Sequence, residues 1–134
     1  MSVSRDNIIV EKSDRFADRI TNMYRYLSEK RRDDRDMLKQ IVRSGTSVGA
    51  NISEGQFAQS KADFLTKMTI ALKEANETRF WIKRLHAYGS LSDIEFDSII
   101  KDNEEIISIL TVITKTTKEN LKKEKENKEV DNKK

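Results

Sequence analysis

Gln40, Arg43, Ser47, Asn51 and Glu54 follow one another at three- and four-residue steps. A guanidinium, a hydroxyl, an amide and a carboxylate on such a spacing can build a network of ion pairs and hydrogen bonds. Glu74 and Glu77 stand three residues apart. That is the reach of one helical turn, so they could act as an acid/base pair or as salt-bridge partners for Arg43. His86 is the sole histidine and there is no cysteine. Carboxylate-bridged di-iron bundles place a glutamate three residues before each ligating histidine, and here that position is Lys83. GTSVG lies inside a helical pattern and lacks the Lys-Ser/Thr that completes a phosphate loop. We therefore expect no catalytic residue, no metal ligand and no cofactor. Glu74 and Glu77 are expected to make salt bridges, and the polar stripe to mediate contact between helices.

Helices must hold these groups. At about 100° per residue, Leu38, Ile41, Gly45, Val48 and Ile52 share one side of a helix over 36–53. The Gln40–Glu54 series lies about 120° away. Ser44, Gly45, Thr46, Ser47, Gly49 and Ala50 make this helix unusually thin. Each interior glycine costs about 1 kcal/mol relative to alanine, so the spacing predicts close approach of a neighbouring helix.

The other elements follow the same period. Phe16, Ile20, Met23 and Leu27, with Tyr24 beside them, predict an amphipathic helix over 8–30. The charged run over 29–36 reads as a solvated corner, where Asp33, Asp34 or Asp36 could cap the next helix. A turn at 55–59 precedes a helix over 60–88, started by capping-box spacing at Ser60 and Asp63 and stopped at Gly89. Its inner face is Phe64, Met68, Ala71, Ala75, Ile82 and Leu85. Ser92 and Glu95 open a fourth helix carrying Phe96, Ile99, Ile100, Ile106, Ile107, Leu110 and Ile113 and running to about Leu121. Four such helices with short connections predict an all-α, antiparallel up-down-up-down four-helix bundle over 1–121. Residues 122–134, almost devoid of apolar side chains, are expected to be a charged, disordered tail.

Composition limits the classes of function. Zero proline suits long unbroken helices, and zero cysteine removes disulfides and thiolate metal sites and fits a reducing compartment. No apolar run is long enough to span a bilayer, and the N-terminus lacks a basic segment followed by an apolar core. A cytoplasmic location with no membrane partner is the expectation. The net charge of +3 resides in the last twenty residues, which hold eight lysines against five acids. The remainder is balanced, so the pI of 9.1 says little about the folded part.

The helix over 60–88 carries more apolar surface than its inner face requires. Ile70, Trp81 and Tyr88 share a stripe with Glu74, Glu77 and Arg84, and Phe80 flanks it. Three readings of that stripe stay open: packing within one chain, an oligomer or partner surface rich in Trp, Tyr and Arg, or stacking of unpaired bases beside cations.

RSGTSVGANISEG (43–55) followed by SKADFLTKMTIALKEANETRFWIKRL (60–85) resembles the four-helix-bundle family of proteins encoded in intervening sequences of bacterial 23S ribosomal RNA. That family is related to the accessory protein of diversity-generating retroelements. The matching positions are Arg43, Ser44, Ser47, Asn51, Glu54 and Gly55, then Ser60, Phe64, Ala71, Leu72, Glu74 and Glu77. The resemblance implies an antiparallel bundle assembling into a ring-shaped homopentamer, with no known catalytic activity. For the retroelement branch it implies binding to nucleic acid and to a reverse transcriptase. On this reading Arg43 pairs with Glu74 or Glu77, and Asn51 bonds the backbone of a neighbouring helix.

Two functions follow as expectations. The first is a non-enzymatic homo-oligomeric scaffold, pentameric by resemblance, that binds another macromolecule through Ile70, Phe80, Trp81, Arg84 and Tyr88. The second is an RNA-binding accessory protein using Lys39, Arg79, Lys83 and Arg84 with the lysine-rich tail.

Overall fold

The computed structural model describes residues 5–133, with side chains from residue 8. Met1–Ser4, on which the expected lack of a targeting segment partly rests, and Lys134 lie outside the described residues. Four helices follow in order: α1 (Arg5–Lys30), α2 (Arg35–Gly55), α3 (Lys61–Ala87) and α4 (Asp93–Asn132). Each packs on its two neighbours, α1 on α2, α2 on α3, α3 on α4 and α4 back on α1. The result is a four-helix bundle in which the α2–α3 side lies opposite the α1–α4 side.

The periodic stripes converge on one core. Phe16, Ile20 and Leu27 meet Leu38, Ile41, Val48 and Ile52 from α2, Met68, Ala71, Ala75, Ile82 and Leu85 from α3, and Ile99, Ile106, Leu110 and Ile113 from α4. Burial of these faces holds helices that would be marginal alone. The glycines of α2 mark where α1 comes close. A Cβ at Gly45 would sit 2.9 Å from Ile20 Cγ2, and one at Gly49 would lie 3.4 Å from the Ser13 carbonyl oxygen.

Local chemistry sets the ends. Ser92 Oγ accepts from the Glu95 amide at 3.1 Å while Glu95 Oε1 accepts from the Ser92 amide at 2.9 Å, a complete capping box. The Ser92 amide, then its hydroxyl, hold the Glu95 carboxyl below its ordinary pKa. At α3 only half of that motif forms. Ser60 Oγ accepts from the Asp63 amide at 3.0 Å, but the Asp63 carboxylate turns to the Gln59 amide at 3.4 Å. Asp34 precedes α2 without a side-chain cap, because its carboxylate accepts from the Ser90 hydroxyl and ties the α1–α2 corner to the α3–α4 turn. Gly89 takes φ 84° in that turn.

One expectation differs in substance. α4 does not give way to a disordered tail near Leu121; it stays helical to Asn132. Lys61 of α3 pairs with Glu124, so the bundle supports the helix at that point. Beyond it the residues are exposed. Glu119–Lys123, Glu124–Lys128 and Glu129–Lys133 all stand four apart with the acid first. That order favours a helix by about 0.2–0.5 kcal/mol per pair without any apolar burial. A composition that looks unstructured is thus arranged at helical spacing.

Candidate functional site

The polar stripe of α2 faces the outer edge of α3. Arg43 Nη2 donates to Glu77 Oε1 at 2.5 Å, Nη1 to Glu74 Oε2 at 3.3 Å, and Nε to Gln40 Oε1 at 3.3 Å. The Arg43 side chain is still 48 % exposed and that of Glu74 only 17 %. The pair is therefore a half-solvated clamp between two helices and not a sequestered ion. The hydrogen bond from Arg43 holds the Glu77 carboxyl below its ordinary value against the opposing effect of burial, and the same bond raises the guanidinium. Trp81 turns its indole N–H toward Glu77 closely enough to add a smaller lowering, but short of a formed hydrogen bond.

Further along the stripe, Glu54 accepts from Lys67 of α3 at 2.8 Å. Asn51 does not reach the backbone of a neighbouring helix. Its Nδ2 donates to the Ser47 carbonyl, one turn back on its own helix, at 2.8 Å. Asn51 sits on the outward stripe, where its own helix offers the nearer acceptor. Ser47 contributes that carbonyl.

Beneath the clamp lies a contact not anticipated from the sequence. The hydroxyls of Ser44 and Thr78, both buried, share a 2.8 Å hydrogen bond, and Thr78 Oγ1 is also 2.8 Å from the Glu74 carbonyl. A signal for it exists: Thr78 interrupts an otherwise apolar stripe between Ala75 and Ile82. Asn103 of α4 is likewise buried. Its Nδ2 donates to the Ala75 carbonyl at 3.2 Å, while its Oδ1 has no partner among the described residues.

The same side carries an apolar ridge. Ile70, Phe80 and Tyr88 are 37, 50 and 67 % exposed. Trp81 is half-buried against the core, edge-on to Phe80 with ring centroids 5.1 Å apart. The Arg84 guanidinium lies over the outer face of Phe80 at 5.2 Å. Trp81 Nε1 and Arg84 Nε are shielded from water and have no partner among the described residues. Unpaired buried donors are uncommon in a finished interior.

The four candidate nucleic-acid contacts do not converge. Lys39 is exposed on α2, on the side turned away from α3 by helical geometry. Arg79 is held by Asn76 Oδ1 at 2.9 Å. Lys83 is exposed on its own, and Arg84 is engaged with Phe80. His86 lies 2.7 Å from Asp93 and stacks on Phe96, joining the end of α3 to the start of α4. Among the described residues no three His, Cys, Asp or Glu side chains are grouped to hold a metal, and no helix is long and apolar enough to cross a membrane.

Comparison with known proteins agrees with this architecture. A crystal structure from Bacteroides thetaiotaomicron VPI-5482, of a protein with unknown function from the S23 ribosomal protein family, superposes with a TM-score of 0.80. It is 46 % identical, and the match covers 84 % of this chain and 99 % of that one. No curated protein matches. Residues 5–112 match the family described as 23S rRNA-intervening sequence protein. With most of its length inside that match, the chain belongs to the 23S rRNA-intervening sequence protein family.

Proposed function

We propose that this protein is a non-enzymatic scaffold that assembles with copies of itself, as a pentamer by family resemblance, and in that form binds another macromolecule. The observation that carries the reading is the α3 ridge. Ile70, Phe80 and Tyr88 stand in solvent beside two shielded, unpaired donors on Trp81 and Arg84. Aromatic and arginine side chains are enriched where proteins meet, and truncating one at such a centre typically costs about 2 kcal/mol or more. The polar stripe borders the ridge: Arg43, Glu74 and Glu77 hold α3 against α2 beside it.

Sedimentation velocity over a wide concentration range tests this. The expected result is one species of several subunits for the wild type, and a shift to monomer for Phe80→Glu. A wild-type protein that stays monomeric at the highest concentration refutes the reading.

The RNA-binding alternative has one observation in its favour, the exposed lysine-bearing extension of α4 beyond Leu121. Phosphate contacts make affinity fall steeply with salt. A gel shift with structured RNA at rising salt, with and without residues after Lys115, separates the two. Binding at low salt that is lost with the extension supports the alternative, and no binding at low salt removes it.

A further inference from the structure

The four seams along which neighbouring helices meet are not closed in the same way. Across α1–α2 the backbones come so near that a Cβ at Gly45 or Gly49 would touch Ile20 or the Ser13 carbonyl. Across α2–α3 the Arg43 clamp lies over the buried Ser44–Thr78 hydrogen bond, and Glu54–Lys67 joins one end. Across α3–α4 the buried Asn103 amide donates to the Ala75 carbonyl, His86 meets Asp93 and stacks on Phe96, and Lys61 reaches Glu124.

The fourth seam, α1–α4, is held differently. These are the adjacent helices whose backbones come together least. A groove of about 530 Å³ opens at one end, lined by Met23, Tyr26, Leu27, Leu91, Ile94 and Ile99, and Ile94 on its rim is 84 % exposed. At the other end a depression of about 240 Å³ lies between Ile8, Ser108, Ile109 and Val112. Between these hollows the seam is bridged by Lys12–Glu105 and by Arg19, which reaches Asp102 and Ser98. Among the described residues every polar contact across this seam comes from Lys12 or Arg19. The four paired side chains are 33–45 % exposed. Ion pairs so placed contribute little and are screened by salt. The buried Ile106 lies directly beneath them, with Lys12, Arg15, Asp102 and Glu105 around it.

From this we infer that the bundle is two helical hairpins, α1–α2 and α3–α4, hinged along α2–α3, and that it opens along α1–α4 without unfolding as a whole. Cooperative units that open below global unfolding coincide with supersecondary pieces and part where packing is thin. Here each hairpin is closed by its own contacts, and the clamp and the buried hydroxyl pair hold the hinge on the side away from the opening. Opening is resisted by two half-solvated ion pairs, by Asp34–Ser90 at the corner, and by an apolar contact that the two hollows have already reduced. It bares Phe16 and Ile20 on one hairpin and Ile106 and Leu110 on the other. The inference does not depend on the self-assembly reading, since it concerns one chain.

Thiol labelling under native conditions tests this. The chain has no cysteine, so one introduced thiol reports on its own position. Ile106→Cys places the thiol under the ion pairs, and Ser44→Cys places it at the hinge against Thr78. Each labelling rate is compared with that variant's own urea unfolding at one protein concentration, to hold any assembly constant. Ile106→Cys should be labelled at least about tenfold faster than global unfolding allows, and Ser44→Cys only as fast as global unfolding allows. Adding Glu105→Lys sets like charges across the seam and should quicken labelling of Ile106→Cys about threefold or more. Salt should quicken labelling where the Lys12–Glu105 pair is intact and slow it where Glu105→Lys has made it repulsive. Ile113→Cys, seven residues on and on the same helix face, takes the place of Ile106→Cys should that variant fail to fold by circular dichroism. A seam thiol labelled no faster than global unfolding allows, a hinge thiol labelled as fast as the seam thiol, or no effect of Glu105→Lys overturns the inference.

Discussion

Adding one methyl group at Gly45 and one at Gly49 should have opposite consequences. In each case the helix gains about 1 kcal/mol, because alanine replaces the poorest helix former after proline. At Gly49 the new Cβ meets the Ser13 carbonyl oxygen at 3.4 Å and Ala17 Cβ at 4.0 Å, which are ordinary contacts. Gly49→Ala should therefore stabilise the bundle by up to about 1 kcal/mol. At Gly45 the new Cβ would lie 2.9 Å from Ile20 Cγ2 and 3.1 Å from Cγ1. Ile20 is fully buried and β-branched, so it has little rotamer freedom with which to yield. Overpacking of this kind costs about 1–3 kcal/mol, leaving Gly45→Ala between neutral and about 2 kcal/mol less stable. Urea unfolding at a single protein concentration, to hold any assembly constant, should place Gly45→Ala at least about 1 kcal/mol below Gly49→Ala. Ile20→Ala should cost about 2–5 kcal/mol in the wild type. It should cost measurably less in the Gly45→Ala background, since the new methyl then occupies the vacated space. If Gly45→Ala equals or exceeds Gly49→Ala in stability, the contact of α1 with α2 at Ile20 is not as tight as described, and the account of the thin α2 face is wrong.

Two further outcomes follow. Arg43→Met should lower stability at neutral pH by less than about 1 kcal/mol, since the pair it breaks is half-solvated. It should also flatten the acid limb of the stability profile. Glu77 has a folded-state pKa below its ordinary value, so its contribution is present above the ordinary carboxylate pKa and fades as pH falls through the lowered one; an acid limb unchanged by Arg43→Met would exclude that coupling. Ending the chain at Leu121 should remove helical circular dichroism for the eleven residues 122–132 without changing the unfolding midpoint, and high salt should lower the full-length signal by screening the Glu–Lys pairs. Identical helical content per molecule in the two chains would mean that the extension is unstructured in solution.

The parts legible in the sequence are those written in the 3.6-residue period. The core faces of all four helices, the stop at Gly89 and the Ser92–Glu95 capping box are each set by residues within a turn or two of one another. Less legible are features that depend on which helix lies opposite. Asn51 bonds its own backbone because nothing nearer faces it, and Asp34 leaves the α2 N-terminus for Ser90, which is 56 residues away. The α1–α4 groove is invisible for the same reason. Tyr26 and Ile94 stand outside their helices' inner stripes, and only the tertiary arrangement makes them the rim of one hollow. The helical extension of α4 escapes any reading that weighs composition above spacing.

The thin second helix separates two tasks that its sequence merges. Its glycine side is satisfied inside one chain by Ile20 and the Ser13 backbone. Its ionic side is also satisfied inside one chain, Arg43 by Glu74 and Glu77, and Glu54 by Lys67. No second molecule is needed to balance those charges. What one chain leaves open lies one helix further on: the ridge of Ile70, Phe80 and Tyr88 with the unpaired donors of Trp81 and Arg84, and across the bundle the hollow beside Ile94. Association driven by such surfaces should tolerate salt, because burial of aromatic area is not screened. The charges beside the ridge, Lys73 and Arg84 among them, set orientation and encounter rate more than affinity. Raising ionic strength should therefore slow assembly of this protein more than it lowers the assembled fraction at equilibrium. If salt instead dissociates the assembly as readily as it slows its formation, charged contacts and not the ridge hold the copies together.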